Sequence, residues 1–126
     1  MDIGKFINNS DYYDDSYFIC TEVIMQIKEN PEFNLHIDDV YFRDIFCSAP
    51  IFDGKPWVGF TRDRNEIVGG WDKESEIGNI DEYISDMMRY ADRTFEWEET
   101  PEVFQLIIDF LNYAKMTGQT VVVEVE

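Results

Sequence analysis

Residues 100–126 read TPEVFQLIIDFLNYAKMTGQTVVVEVE, and this stretch decides the predicted fold. Thr100 before Pro101 is typical of a helix start, with Thr100 as the cap, because proline suits the first helical position. Gly118 is expected to end this helix. The β-branched run that follows, residues 119–126, predicts a strand. The apolar positions are dense enough to predict the most buried helix of the chain: Val103, Phe104, Ile107, Ile108, Phe110, Leu111 and Ala114.

The residues before this unit predict a hairpin and another helix. Residues 57–61 and 66–71 are typical of two strands, and residues 62–65 between them are predicted to form the hairpin loop. Asn79 or Asp81 is expected to begin the helix. Its apolar positions recur at helical spacing at Ile80, Tyr83, Ile84, Met87, Met88 and Ala91.

The first part of the chain predicts a helix that begins at Asp15 or Ser16 and ends at Asn30, before Pro31. Its apolar face would hold Tyr17, Cys20, Val23, Ile24 and Ile27. Residues 35–47 are ambiguous. Asp38 suits the cap of a short helix carrying Val40, Tyr41, Ile45 and Phe46, whereas Leu35, Ile37, Val40 and Phe42 also suit a strand; the helix is favoured.

These elements predict an α+β fold in which a small, mainly antiparallel sheet packs against three or four helices. Residues 1–126 show no repeat or linker-like stretch, so a single globular domain is expected.

The charge of the chain is strongly negative: 27 Asp and Glu stand against 10 Lys and Arg, a net charge of −17. Such a charge argues against nucleic-acid and anionic-lipid partners, since both require a basic surface. The sequence holds no apolar run long enough to span a bilayer, and residues 1–5 lack the pattern of a signal peptide. A cytoplasmic location is therefore expected.

Signals for catalysis and metal binding are weak. Cys20 and Cys47 are interpreted as buried thiols, and His36 is the one histidine. Carboxylates follow His36, but there is no second His or Cys at ligand spacing and no nucleophile motif. The sequence therefore predicts no enzyme, no metal and no cofactor.

Acids alternate with aromatics at two places, residues 11–15 (DYYDD) and 95–99 (FEWEE). Tyr and Trp anchor interfaces, while surrounding carboxylates speed encounter with a positive surface. A basic protein partner is expected. The alternative interpretation is that these aromatics belong to the core and the acids to a solvated face. The predicted partner-binding residues are Tyr12, Tyr13, Asp14, Asp15, Asp38, Asp39, Glu96, Trp97, Glu98 and Glu99.

In size, charge and interleaving of acids with aromatics, the chain resembles the bacterial immunity proteins of contact-dependent growth inhibition and polymorphic toxin systems. The resemblance is one of general character over the whole chain. It implies a cognate toxin domain, a nuclease with a basic active-site groove, bound one to one and neutralised by occlusion.

Three alternatives stay open. A DNA-mimic inhibitor of the anti-restriction or anti-CRISPR type would use the same carboxylates, although the neutral stretch 51–71 argues against an extended mimic. A small enzyme or ligand-binding domain would place its site around His36, Trp57 and Trp71. A structural subunit would offer the strand at 121–125 as an exposed edge.

Overall fold

The computed structural model describes residues 2–13, 21–65 and 75–125. Its strands form one sheet in the order β1-β3-β2-β5-β4, antiparallel throughout except that β1 runs parallel to β3. The predicted α+β class, with a mainly antiparallel sheet and four α-helices, is confirmed. A 3-10 helix spans Ile3–Phe6, and the other elements are β1 Asn9–Tyr12, β2 Glu22–Ile27, β3 Asn30–Asp38, α1 Asp39–Phe46, α2 Gly59–Asn65, β4 Ser75–Glu76, α3 Ile80–Met88, α4 Thr100–Met116 and β5 Val121–Val125.

Strand β2 corrects the prediction of a helix up to Asn30. Val23, Met25 and Ile27 are fully buried and alternate with half-buried residues, which is the period of a strand. Ile24 lies on the opposite face, and its apolar side chain gave the sequence its apparent helical spacing. The proposed helix start at residues 15–20 lies outside the described residues. Pro31 does not end a helix; it lies near the start of β3.

Residues 35–47 contain both of the elements that the sequence left open. Leu35 and Ile37 belong to β3 and are fully buried, and the helix α1 begins directly after this strand. Asp38 caps α1 as predicted, because its side chain accepts a hydrogen bond from the backbone amide of Val40 at 3.0 Å. Cys47 follows α1 and is half-buried, so the interpretation as a buried thiol is wrong for this residue.

Helix α2 replaces the predicted strand at 57–61 and the predicted loop at 62–65. Its Phe60 packs against the rings of Phe42, Phe46 and Tyr83, which brings α2 into the helical layer. Gly59 has a φ of 59°, a left-handed conformation that favours glycine. The partner strand predicted at 66–71 lies outside the described residues.

Buried polar groups join α2 to α3. The carboxylate of Asp86, which is fully buried, accepts hydrogen bonds from the backbone amide and the hydroxyl of Thr61 at 2.9 Å. Burial raises the pKa of Asp86, although the hydrogen bonds from Thr61 and the nearby Arg89 oppose the shift. Gly59 lies close by: a Cβ placed on it would meet the Asp86 Cβ at 3.0 Å.

The C-terminal elements follow the sequence closely. Asn79 caps α3, and α4 ends before Gly118, whose φ is 65°. Thr100, however, is not the cap of α4: it is the first helical residue, and its buried hydroxyl bonds to α1 instead. Strand β5 forms as predicted, but it lies between β2 and β4 and is paired on both sides at Val122 and Val123. The hypothesis that it offers an exposed edge is therefore wrong there.

The hydrophobic core lies on one face of the sheet and joins side chains of β2, β3 and β5 to side chains of the four α-helices. His36 and Ile24, which alternate with core residues, belong to the opposite face. Across the part of the chain that the structure describes, no helix has the length and apolar character needed to cross a membrane.

Candidate functional site

A buried carboxylate fixes the segment that precedes α4. Asp44 of α1 is 4% exposed and accepts hydrogen bonds from the backbone amides of Glu96 at 2.9 Å and Trp97 at 3.0 Å. It also accepts one from the Thr100 hydroxyl at 2.6 Å. Burial opposes ionisation of Asp44, but these three hydrogen bonds and the nearby Arg93 outweigh it and lower its pKa. The segment is thus held by an ionised group on another helix.

This fixed segment presents an aromatic side chain among acids. Trp97 is 47% exposed, and Glu96, Glu98 and Glu99 beside it are exposed as well. Among the described residues, none of these three carboxylates forms an ion pair, nor does Glu102 in the first turn of α4. Four neighbouring negative charges therefore face solvent without an internal cation.

The second acid-aromatic stretch reaches the same end of the molecule. Tyr12 of β1 donates a hydrogen bond from its hydroxyl to Glu102 at 3.2 Å. Its ring meets that of Tyr41 edge to face, with the centroids 6.2 Å apart. Partial burial raises the pKa of Tyr41, and the charges of Glu99, Asp38 and Glu102 raise it further. The pKa of Tyr12 is raised as well, mainly by burial and also by its hydrogen bond to Glu102.

We group these residues as one feature, which we call the acidic-aromatic surface. It combines exposed or half-buried carboxylates and aromatic rings from β1, β3, α1, α4 and the segment before α4. Six of the ten predicted partner-binding residues belong to it. Its members are Tyr12, Asp38, Tyr41, Glu96, Trp97, Glu98, Glu99 and Glu102.

The other four predicted partner-binding residues are not assigned to this surface. Asp39 is 8% exposed and pairs with Arg64 of α2 and Arg43 of α1, so it ties helices together. Tyr13 is half-buried after β1, and its backbone amide bonds to the carbonyl of Ser10. Asp14 and Asp15 lie outside the described residues.

Two members of the acidic-aromatic surface, Tyr41 and Glu102, and the buried Asp44 that supports it were missed from the sequence. Tyr41 was predicted only as a position of a short helix, and neither Asp44 nor Glu102 was predicted to belong to the site. A signal for Asp44 does exist, because an acid between Phe42 and the buried pair Ile45 and Phe46 needs a buried partner. Its partners are backbone amides of a distant segment, which no local pattern reveals.

The residues proposed for a small-molecule site do not converge. His36 pairs with Glu22 on the sheet face opposite the helices. Trp57 lies in the segment before α2, donates a hydrogen bond to the Ile51 carbonyl at 2.9 Å and packs on Phe52. Trp71 is outside the described residues. Over the described ranges, no three His, Cys, Asp or Glu side chains are grouped so as to hold a metal ion.

Comparisons with protein-family models, with curated proteins and with solved structures found no significant match to this chain.

Proposed function

We propose that the protein binds a basic protein through the acidic-aromatic surface and neutralises it, as an immunity protein neutralises a cognate toxin. One observation carries this proposal: a half-exposed Trp97, whose backbone amide is bonded to the buried Asp44, lies in a short stretch with four exposed carboxylates that form no ion pair in the described structure. Elsewhere, acids such as Asp39, Asp63 and Asp109 pair with bases of the chain itself.

The carboxylates of the acidic-aromatic surface repel one another. Like charges held close together cost free energy, which a positive partner would recover. An ordered aromatic side chain supplies desolvated contact area with little entropy to lose on binding. Asp44 orders the backbone of this segment, because it accepts hydrogen bonds from the amides of Glu96 and Trp97 before any partner arrives.

A nuclease toxin is the partner class that fits best. A nuclease must hold a polyanion, so its substrate groove is positively charged. Carboxylates at Glu96, Glu98 and Glu99 would occupy positions taken by phosphates, and Trp97 would fill the space between them. We propose a one-to-one complex that forms in the cytoplasm, where such a toxin would reach its substrate.

The experiment compares the wild-type chain with an acid-segment variant that carries Glu96→Gln, Glu98→Gln and Glu99→Gln. Both are immobilised and exposed to lysate of the native host, and the proteins retained in high salt are identified. Each retained basic protein is then purified, and its cleavage of DNA and RNA is assayed. The expected result is a basic nuclease that equimolar wild-type chain inhibits and the acid-segment variant does not.

A matched control carries Glu32→Gln, Glu76→Gln and Asp81→Asn, and we call it the distal variant. It removes the same charge away from the acidic-aromatic surface. Asp81 pairs with Lys115 near the far end of α4, Glu76 pairs with Lys28 after β2, and Glu32 lies near the start of β3, at the opposite end of this strand from Asp38. The distal variant should inhibit like wild type. Inhibition by the acid-segment variant would contradict the proposal, and a broad set of nucleic-acid-binding proteins released by salt would favour a DNA mimic.

A further inference from the structure

The indole ring of Trp97 and the carboxylates of its neighbours Glu96 and Glu98 together favour one kind of cation. We infer that the partner contacts Trp97 through an arginine side chain rather than a lysine. This inference rests on the proposed function, since it names the partner chemistry of the same surface. Two features of the protein support it: an uncovered indole, and exposed carboxylates on both sides of Trp97 in the sequence.

The indole of Trp97 is open to a ligand. Among the described residues, no ring or cation is stacked on it, whereas the ring of Trp57 packs against Phe52 and that of Tyr90 is covered by Arg93. The backbone of Trp97 is anchored, because its amide donates a hydrogen bond to Asp44. The surface therefore offers the partner an exposed aromatic platform on an anchored backbone.

The carboxylates beside this platform favour a planar, multivalent donor. Glu96 and Glu98 flank Trp97 in the sequence, and both are exposed. A guanidinium can stack on an indole and still donate paired hydrogen bonds to a carboxylate in its plane. An ammonium group is a compact, strongly hydrated point charge and gains less from the ring. Charge complementarity alone would accept either cation, so the exposed ring is what selects arginine.

The test uses two short peptides that differ in one respect: arginines spaced by Gly-Ser pairs in the first, lysines in the second. Each is titrated into the ¹⁵N-labelled protein, and the indole N–H signal of Trp97 gives the affinity. The arginine peptide should bind about two- to fivefold more tightly, the ratio expected for one stacked cation at an exposed site. In the Trp97→Leu variant, followed on the backbone amides, this preference should disappear, because the arginine peptide loses more affinity than the lysine peptide.

Phe52→Leu is the matched control, because Phe52 is 67% exposed and lies outside the acidic-aromatic surface. It should keep the preference for arginine. Equal affinity for the two peptides in the wild-type chain, or a preference that survives Trp97→Leu, would overturn the inference and leave the proposed function standing. Binding of neither peptide, or binding that the acid-segment variant retains in full, would overturn both.

Discussion

The carboxylate of Asp44 accepts a hydrogen bond from the backbone amide of Trp97 at 3.0 Å, across the boundary between α1 and the segment before α4. A buried group and an exposed group are thereby linked directly. The buried acid contributes nothing to the outer surface, yet it anchors the backbone that carries the exposed indole. In this protein, the residue that anchors the segment is therefore distinct from the residues that a partner would contact.

Asp44→Ala should destabilise the fold by about 2–4 kcal/mol, because it leaves two backbone amides and the Thr100 hydroxyl without their acceptor. Urea unfolding followed by circular dichroism would measure the loss. The backbone amides of Glu96 and Trp97 should also exchange faster with solvent. A loss below about 1 kcal/mol would show that water or another group replaces the carboxylate.

The stabilisation from Asp44 should depend on pH. Its pKa in the folded state is lowered, so its contribution is complete above the unfolded aspartate pKa of about 3.9 and is lost as the pH falls through the folded value. The free energy of unfolding, measured by urea titration from neutral to acid pH, should therefore converge for wild type and Asp44→Asn at low pH. Parallel curves would contradict the assignment.

Asp86→Asn is a control for which the expected pH dependence of stability has the opposite sign. Burial raises the pKa of Asp86, so its contribution to stability is complete below the unfolded pKa and is lost as the pH rises through the folded value. Relative to Asp86→Asn, the wild-type chain should therefore lose stability as the pH rises from acid toward neutral.

Trp97→Ala should accelerate dissociation of the proposed complex by about 30-fold or more, the effect of losing a central anchor worth about 2 kcal/mol. The association rate should change little, because the charges remain. Surface plasmon resonance with the purified partner would separate the two rates. Phe52→Ala, which removes a more exposed aromatic outside the acidic-aromatic surface, should leave both unchanged.

The acid-segment variant should associate about tenfold more slowly at low ionic strength, because steering by opposite charge raises association rates by 10-fold to 1000-fold. Stopped-flow mixing would measure the rate. The distal variant has the same net charge and should lose less. If the two variants slow association equally, total charge and not its placement controls the encounter.

Gly59→Ala should destabilise the fold by about 2 kcal/mol or more, since φ is 59° and the new Cβ would lie 3.0 Å from the Asp86 Cβ. Gly78→Ala is the control, because its Cβ would meet open space. Thermal unfolding of both variants would check the difference. Equal melting temperatures would show that the backbone between α2 and α3 adapts.

The elements that the sequence predicted well are those whose signals are local. Asp38 and Asn79 act as caps through their own side chains, and α4 combines a proline start with a dense apolar face. Such features need no distant partner. The same holds for the exposed Trp97, whose neighbours in the sequence are also its neighbours on the surface.

The errors arose where tertiary contacts override local preference. Residues 57–61 are rich in aromatic and β-branched side chains, yet Phe60 enters a cluster of rings and Thr61 bonds to Asp86, so the chain turns into α2. In β2, Ile24 places an apolar side chain on the face opposite the core. The apolar residues of this strand therefore fit helical spacing as well as strand alternation, and the sequence pattern did not distinguish the two. Asp44 was missed for the same reason, because its partners lie on another element.

Helix α4 is expected to be among the last parts of the protein to unfold. It is the longest helix and largely buried, and it continues through Gly118 into β5, which is paired with β2 along its whole length. Backbone amides in this unit should be among the slowest to exchange with deuterium, since they open only when the whole fold opens. Glu102, in the first turn of α4, connects the acidic-aromatic surface to that unit. A partner that engages Glu102 would therefore contact the part of the molecule that is expected to unfold last.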